Sequence, residues 1–231
     1  MIIDFHSHIL PGIDDGSKNI EMTREMLAES ISQKIDVQVA TPHFYAYKMT
    51  LDDFLKERDE ALKKTMALPE VKDIQLLVGA EVAFFTGMGR ADGLEEVCIE
   101  GTNLLLVEMP FAPWNESCIR ELERLLDGGF QPVLAHVERF LDYKHDRKAI
   151  KLLNSLPIVR QSNAEFFTDE KDRKRALKML KKGEIHILGT DCHNMTSRRP
   201  DLKEGRRIIR DGLGAEYLGN IDGLSRQLLF G

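Results

Sequence analysis

The chain opens with Met1-Ile2-Ile3-Asp4-Phe5-His6-Ser7-His8-Ile9-Leu10-Pro11-Gly12-Ile13-Asp14-Asp15-Gly16. An apolar run enters a His-x-His pair and leaves through two aspartates and a glycine. Residues i and i+2 of a β-strand project from the same face, so His6 and His8 emerge side by side. Their Cα atoms are then about 7 Å apart, close enough for two imidazoles to meet on one cation. Imidazoles also serve as hydrogen-bonded core residues, and the pair alone leaves metal binding and packing open. The other strand ends decide between them.

Short β-branched or Leu-rich runs recur at 2–6, 37–41, 74–82, 103–109, 132–137, 157–162 and 185–190. Helical patterns lie between most of them. Met22, Met26 and Leu27 share a face within 19–34, and Ile119, Leu122, Leu125 and Leu126 do so within 115–128, before Gly128-Gly129. Thr50-Leu51-Asp52-Asp53 reads as a capping box for a helix to about residue 67. Lys181-Lys182-Gly183 ends another helix. This alternation predicts a parallel α/β fold, a barrel or a sheet covered on both faces.

The runs end in His6 and His8, Thr41-Pro42-His43, Gly79-Ala80-Glu81, Glu108, His136-Val137-Glu138-Arg139, Ser162-Asn163 and Thr190-Asp191-Cys192-His193. Parallel α/β barrels build their sites at the carboxyl ends of the strands. Asp191 and His193 repeat the i, i+2 spacing of the first pair. Satisfied core polarity does not account for so many imidazole and carboxylate endings in succession. Imidazole and carboxylate donors without thiolate suit manganese, iron or zinc.

Composition is consistent with this. The 231 residues carry a net charge of −6, against general nucleic-acid binding. No apolar run is long enough to span a bilayer, so no membrane insertion is expected. Three widely spaced cysteines, Cys98, Cys118 and Cys192, indicate neither a disulfide framework nor a thiolate zinc site. With no linker, repeat or signal-like segment, a single domain over 1–231 and a cytoplasmic location are expected.

These motifs resemble the PHP (polymerase and histidinol phosphatase) superfamily along nearly the whole chain. HSHILPGIDDG (6–16), GAEV (79–82), LLVEMPF (105–111) and VLAHVER (133–139) are most similar to its bacterial manganese-dependent protein-tyrosine phosphatases of capsule and exopolysaccharide synthesis. The resemblance implies a distorted (β/α)7 barrel with three metal ions at the C-terminal ends of its strands. One ion would be held by His6, His8, Glu81 and Asp191. A second would share Glu81 and add Glu108 and His136, and a third would take Asp15, His43 and His193. A carboxylate shared by two cations about 3.5–4 Å apart lets one hydroxide bridge them and attack phosphorus. Manganese is named by the resemblance alone. Asp14 adjoins Asp15 and is expected to serve as a turn residue.

The resemblance also makes Arg139 and Arg198 the catalytic phosphate clamps, a role suited to planar guanidiniums. Arg199 follows directly, which leaves the second clamp open between the two. His145 is expected in a solvated loop, and His186, between Ile185 and Ile187, in strand packing. Cys192 to Arg198 fits the C-x5-R pattern of thiolate phosphatases. It lacks the wrapping glycine and the preceding histidine, and Cys118 to Arg124 repeats the spacing inside a helix. Cys192 is therefore expected to point away from the ligands.

The expected activity is hydrolysis of phosphotyrosine on a protein, a membrane-associated tyrosine autokinase by resemblance. The alternatives are a histidinol-phosphate phosphatase or other phosphoesterase on the same scaffold, and a non-enzymatic metal-binding or kinase-docking domain. Aromatic residues follow three of the ligand-bearing runs: Phe44, Tyr45 and Tyr47; Phe84 and Phe85; Phe111 and Trp114. Singly each reads as packing, and together some would flank a phosphotyrosine ring. Thr86-Gly87-Met88-Gly89-Arg90 would form a mobile rim over it.

Overall fold

The computed structural model describes residues 1–231. Its strands are β1 (Ile3–Ser7), β2 (Val37–Ala40), β3 (His43–Phe44), β4 (Gln75–Val78), β5 (Glu81–Ala83), β6 (Leu104–Glu108), β7 (Gln131–Leu134), β8 (Val159–Asn163) and β9 (Ile187–Gly189). All named pairings are parallel, in the orders β1-β2-β4 and β3-β5-β6-β7-β8-β9. The amides of Gly79 and Glu81 donate to the Ala40 and Pro42 carbonyls, so β2 with β3 and β4 with β5 are two interrupted staves side by side. Seven staves result, as the seven apolar runs predict. The expected unbroken third strand, 74–82, is instead broken at Gly79-Ala80.

The first and last staves meet at a seam. Asp191 N–H donates to the His6 carbonyl and His8 N–H to the Cys192 carbonyl. Lower down the fully buried Asp4 carboxylate replaces part of the ladder. It accepts from the Thr190 amide (2.8 Å), the Thr190 hydroxyl (2.6 Å) and Gln38 Nε2 (2.7 Å). Burial raises the pKa of Asp4, only partly offset by the bonds from Thr190 and Gln38. The β1–β2 register slips between Asp4 and Ser7. Phe5 joins an inner apolar cluster with Leu104, Leu106, Val133 and Ile187, while the next residue, His6, lies against Gly189. A β-bulge lets such neighbours break strict alternation. A Cβ at Gly189 would sit 2.7 Å from that of His6, so this close approach requires glycine.

Helices cover the staves: α1 (Ile20–Ser32), α2 (Leu51–Met66), α3 (Glu116–Asp127), α4 (Arg147–Ser155), α5 (Glu165–Thr168), α6 (Arg173–Lys181), α7 (Leu202–Leu213) and α8 (Ala215–Phe230). Asn19, Thr50 and Asn115 cap α1, α2 and α3 by accepting from amides three residues on. Asp53 closes the Thr50 cap by accepting from the Thr50 hydroxyl at 2.7 Å, a variant of the expected box. Gly129 and Gly183 take positive φ just beyond α3 and α6, as predicted. The apolar faces of these helices form the outer core with the opposite strand faces. An Arg206–Asp222 bidentate pair (2.6 and 2.8 Å) ties α7 to α8, which packs on β1 and β9. No helix is long and apolar enough to cross a membrane, and all three cysteines are free.

Two local expectations fail. His145 is stapled into the structure. Its Nδ1 accepts from Trp114 N–H at 3.0 Å, its Nε2 donates to the Phe140 carbonyl at 2.8 Å, and its ring lies 4.2 Å from that of Trp114. The 86–90 segment is anchored. Met88 is buried, Gly89 N–H donates to Glu121 Oε2 at 3.1 Å, and a Cβ at Gly89 would meet Arg124 Cβ at 2.6 Å. His186 is half-buried beside β9, bonded through both ring nitrogens to the Arg160 amide and the Gly183 carbonyl, in keeping with a packing role.

Candidate metal centre and phosphate clamp

The nine predicted ligand residues gather at the carboxyl ends of the staves. His6 Nε2 and His8 Nε2 are 3.1 Å apart, and each lies 3.3–3.6 Å from Glu81 Oε2 and Asp191 Oδ1. His136 Nε2 lies 2.7 Å from Glu81 Oε1 and 3.5 Å from Glu108 Oε1. Asp15 Oδ1 lies 3.6 Å from His43 Nε2 and 3.4 Å from His193 Nε2. Donor atoms form overlapping groups: His6–His8–Glu81, His43–Glu81–Glu108, and His8–Asp15–His43–His193. His8 and His43 thus stand closer to neighbouring groups than the three-way partition expected.

These spacings fit cations. Donors held about 2.1 Å from a shared ion in tetrahedral or octahedral geometry lie about 3.0–3.4 Å from one another. Glu81 Oε2 and His193 Nε2 are buried without a hydrogen-bond partner. His43 Nδ1 is only 2.9 Å from Glu81 Oε2 yet is not aligned to donate to it. Buried polar atoms are normally paired, and here a common third atom would satisfy them.

Charge follows the same pattern. Burial opposes the Glu81 carboxylate, but the His6 charge, the His136 hydrogen bond and the close His43 and His6 imidazoles hold its pKa well below the usual range. Burial likewise opposes Asp191, while His6, His8 and Arg139 lower it. The His8 imidazole is penalised by burial yet raised well above 6.5 by hydrogen bonds with Asp14, Asp191 and Glu81. His193 is driven down to about 4 by burial and by the neighbouring His8 charge.

Backbone conformation departs from the pleat. Asp191 has φ +53° and lies past the end of β9, so Asp191 and His193 converge through a left-handed turn instead of the expected strand alternation. His136 has φ +31°, just beyond β7. Non-glycine residues in this region are uncommon and concentrate at functional sites.

Asp14 does more than turn the chain. It accepts from His8 Nδ1 at 2.7 Å, His43 N–H at 3.0 Å and Gly16 N–H at 2.9 Å. Burial opposes its charge, but the His8 bond and charge lower its pKa to about 2. A carboxylate behind a histidine in this way fixes the ring and its tautomer. Asp15 stands exposed at the rim, facing His43 and His193.

Arg139 and Arg198 both pair with Asp191 Oδ2, Arg198 at 2.6 Å. Arg199 turns away to lie 3.8 Å from Glu29. The two guanidiniums line a mouth of about 410 Å³ together with His43, Tyr45, Tyr47, Phe84, Glu108 and Phe111. Phe111 stacks over His136 at 6.2 Å, Tyr45 over His43 at 5.0 Å, and Lys48 lies 3.9 Å from the Tyr45 ring centroid. Phe44 and Trp114 are instead buried in the outer core. Cys192 is also buried there, its thiol pushed well above its usual pKa by burial and by Asp4.

Gln161 and Asn163, on β8, also reach the site. Gln161 Oε1 accepts from His136 N–H at 2.8 Å and lies 3.2 Å from His6 Nδ1, and Gln161 Nε2 donates to Asn163 Oδ1 at 3.0 Å. Asn163 Nδ2 donates to Asp191 Oδ2 at 3.0 Å. Sequence reading noted the polar end of this strand but assigned neither residue a role. Their inward alternation along the apolar run was the available signal.

Comparisons with known proteins place the chain among relatives. The tyrosine-protein phosphatase CpsB of Streptococcus agalactiae serotype III is 26% identical over 224 residues, covering 93% of this chain and 92% of that protein. The tyrosine-protein phosphatase YwqE of Bacillus subtilis is 24% identical over 222 residues, covering 93% and 86%. A chain from the crystal structures of YwqE from Bacillus subtilis and CpsB from Streptococcus pneumoniae, described as unique metal-dependent tyrosine phosphatases, matches with a TM-score of 0.84. The identity is 22%, with 99% of this chain and 94% of that one covered. The family model for capsular polysaccharide synthesis, CpsB/CapC, matches residues 2–224, and the chain belongs to that family.

Proposed function

We propose that the chain is a metal-dependent protein-tyrosine phosphatase, acting as one domain over residues 1–231 in the cytoplasm. Its substrate is a phosphotyrosine protein, a membrane-associated tyrosine autokinase that regulates capsular or exopolysaccharide synthesis. The metals are three manganese ions held by His6, His8, Asp15, His43, Glu81, Glu108, His136, Asp191 and His193. The observation that carries this reading is a single juxtaposition. A dense imidazole and carboxylate cluster, two guanidiniums on one carboxylate, and an aromatic-lined mouth all meet at the strand ends.

Bound divalent cations supply a water acidified enough to act as nucleophile, together with Lewis-acid stabilisation of phosphoryl charge. The chain's own residues do the rest. Arg139 and Arg198 bind the nonbridging phosphate oxygens and hold phosphorus in line with the tyrosyl oxygen. Tyr45, Tyr47, Phe84 and Phe111 receive the ring of the leaving group. A phenol leaves with a pKa of about 10, which lessens the need for a general acid. Asp14 keeps the His8 ring oriented toward the cluster through its 2.7 Å bond to Nδ1.

Glu108 is the one carboxylate lining this mouth and belongs to the cation group, so the aromatic-lined mouth itself offers no free acid to a substrate ammonium. This weighs against histidinol phosphate. The test compares kcat/KM for a phosphotyrosine peptide, a phosphoserine peptide and histidinol phosphate at matched manganese, with metal content measured alongside. Phosphotyrosine should lead by about tenfold or more, equivalent to about 1.4 kcal/mol. A preference for histidinol phosphate would overturn the substrate assignment.

A further inference from the structure

Of the seven staves, β8 alone contributes no residue to the ligand set. Yet its inward side chains, Gln161 and Asn163, are amides with almost no exposure. Their hydrogen bonds run in one direction. His136 N–H can only donate, so the atom it meets at 2.8 Å must be the Gln161 oxygen. That choice turns the Gln161 NH2 toward Asn163 Oδ1 at 3.0 Å, which in turn aims the Asn163 NH2 at Asp191 Oδ2 at 3.0 Å. The same Gln161 oxygen lies 3.2 Å from His6 Nδ1. It accepts a hydrogen bond from Nδ1–H there and leaves the Nε2 lone pair facing His8, Glu81 and Asp191.

We propose that Gln161 and Asn163 form an amide relay that positions three cation ligands: the His6 ring, the His136 backbone and the Asp191 carboxylate. The inference rests on the ligand assignment proposed above. Two of these ligands, His136 and Asp191, occupy left-handed backbone. The relay grips each beside that strain, at the His136 amide and at Asp191 Oδ2. Asn163, with Arg139 and Arg198, engages Oδ2 and leaves Oδ1 to face His6 and His8. Neutral amides set this geometry without adding a negative charge to a cluster that already holds Glu81, Glu108 and Asp191. Gly189 gives the relay room, since a Cβ there would lie 2.9 Å from Gln161 Nε2.

The test is manganese binding to the chelator-stripped full chain, followed by equilibrium dialysis with metal analysis and by calorimetry. Gln161→Leu should weaken binding at the His6–Asp191 group by about 10- to 100-fold, the usual effect of removing a partner behind a ligand. The Asp15–His43–His193 group, which the relay does not touch, should keep its affinity. Gln161→Glu retains the acceptor for His6 and His136 but loses the donor to Asn163 Oδ1, and should recover only part of the loss. Should Gln161→Leu fail to fold, Asn163→Ala leaves the His136 bond intact and should show the same selective loss. Wild-type affinity at every group in the folded variants would overturn the relay. So would a uniform loss at all groups, which marks general destabilisation. If the unmodified chain binds no manganese, the ligand assignment itself fails, a result distinct from either.

Discussion

Arg198 Nη2 lies 2.6 Å from Asp191 Oδ2, the oxygen that Arg139 also engages, while Asp191 Oδ1 faces His6 and His8. One carboxylate therefore joins the two arginines of the proposed phosphate clamp to the imidazoles of the proposed metal centre. On the proposed mechanism, loss of either arginine removes a charged donor from transition-state oxygens, an effect of about 3 kcal/mol or about a hundredfold in kcat/KM. Arg139→Ala and Arg198→Ala should each fall by that much with metal retained, and Arg199→Ala should match the unmodified enzyme. Steady-state kinetics with metal analysis checks this. Equal losses for Arg199→Ala would move the second clamp.

Cys192 is buried with a raised thiol pKa, which removes the thiolate a C-x5-R mechanism needs. Cys192→Ser should keep most of its activity, whereas chelation should abolish activity and manganese restore it. An inactive, fully metallated serine variant would point to a thiolate nucleophile.

Phe111 is half-exposed and stacks on His136, and Tyr47 is the most exposed aromatic at the mouth. If they hold the phosphotyrosine ring, Phe111→Ala or Tyr47→Ala should each weaken transition-state binding by about 1 kcal/mol. That is about a fivefold loss in kcat/KM on an aryl phosphate. An alkyl phosphate should be unaffected, and parallel losses on both substrates would assign these rings to packing.

Proton linkage should be visible in the metal-free protein. Burial disfavours the His136 charge, but hydrogen bonds with Glu108 and Glu81 raise its pKa from 6.5 to about 9. A folded pKa above the unfolded value gives stability that is complete below pH 6.5 and disappears as pH climbs to about 9. The difference is worth about 3 kcal/mol at about 1.4 kcal/mol per tenfold in proton affinity. His193 acts at the other end. Burial and the His8 charge depress it to about 4, so stability also falls as pH drops from 6.5 toward that value. The chelator-treated protein should melt highest near pH 6.5 and lose about 6–12 °C by pH 9. Saturating manganese should remove the alkaline loss, because the cation replaces the proton. Calorimetric melting across this range decides the matter, and a flat metal-free profile would contradict it.

Catalysis should fail in acid for a related reason. Coordination needs neutral imidazole and opposes its protonation, so the acid limb should lie below about 6.5. Added manganese should move it lower. A limb indifferent to manganese would reveal another titrating group.

Much of this molecule was determined by the sequence alone. Seven apolar runs, each ending in a polar group, define seven parallel staves, because strand length and helical spacing are local properties. His6 and His8 share a direction for the same reason. Tertiary structure decided what local pattern leaves degenerate. Asp14 against Asp15, and Arg198 against Arg199, are neighbours of one chemical type. Only the folded backbone turns Asp14 behind His8 and Arg198 onto Asp191. The 86–90 segment has the composition of a flexible loop, yet contact with α3, a distant element, fixes it. His145 looks solvated until Trp114 and Phe140 close on it. Gln161 and His6 are separated by 155 positions. No local periodicity brings such a pair together; closure of the barrel does, by setting first and late strands around one polar end.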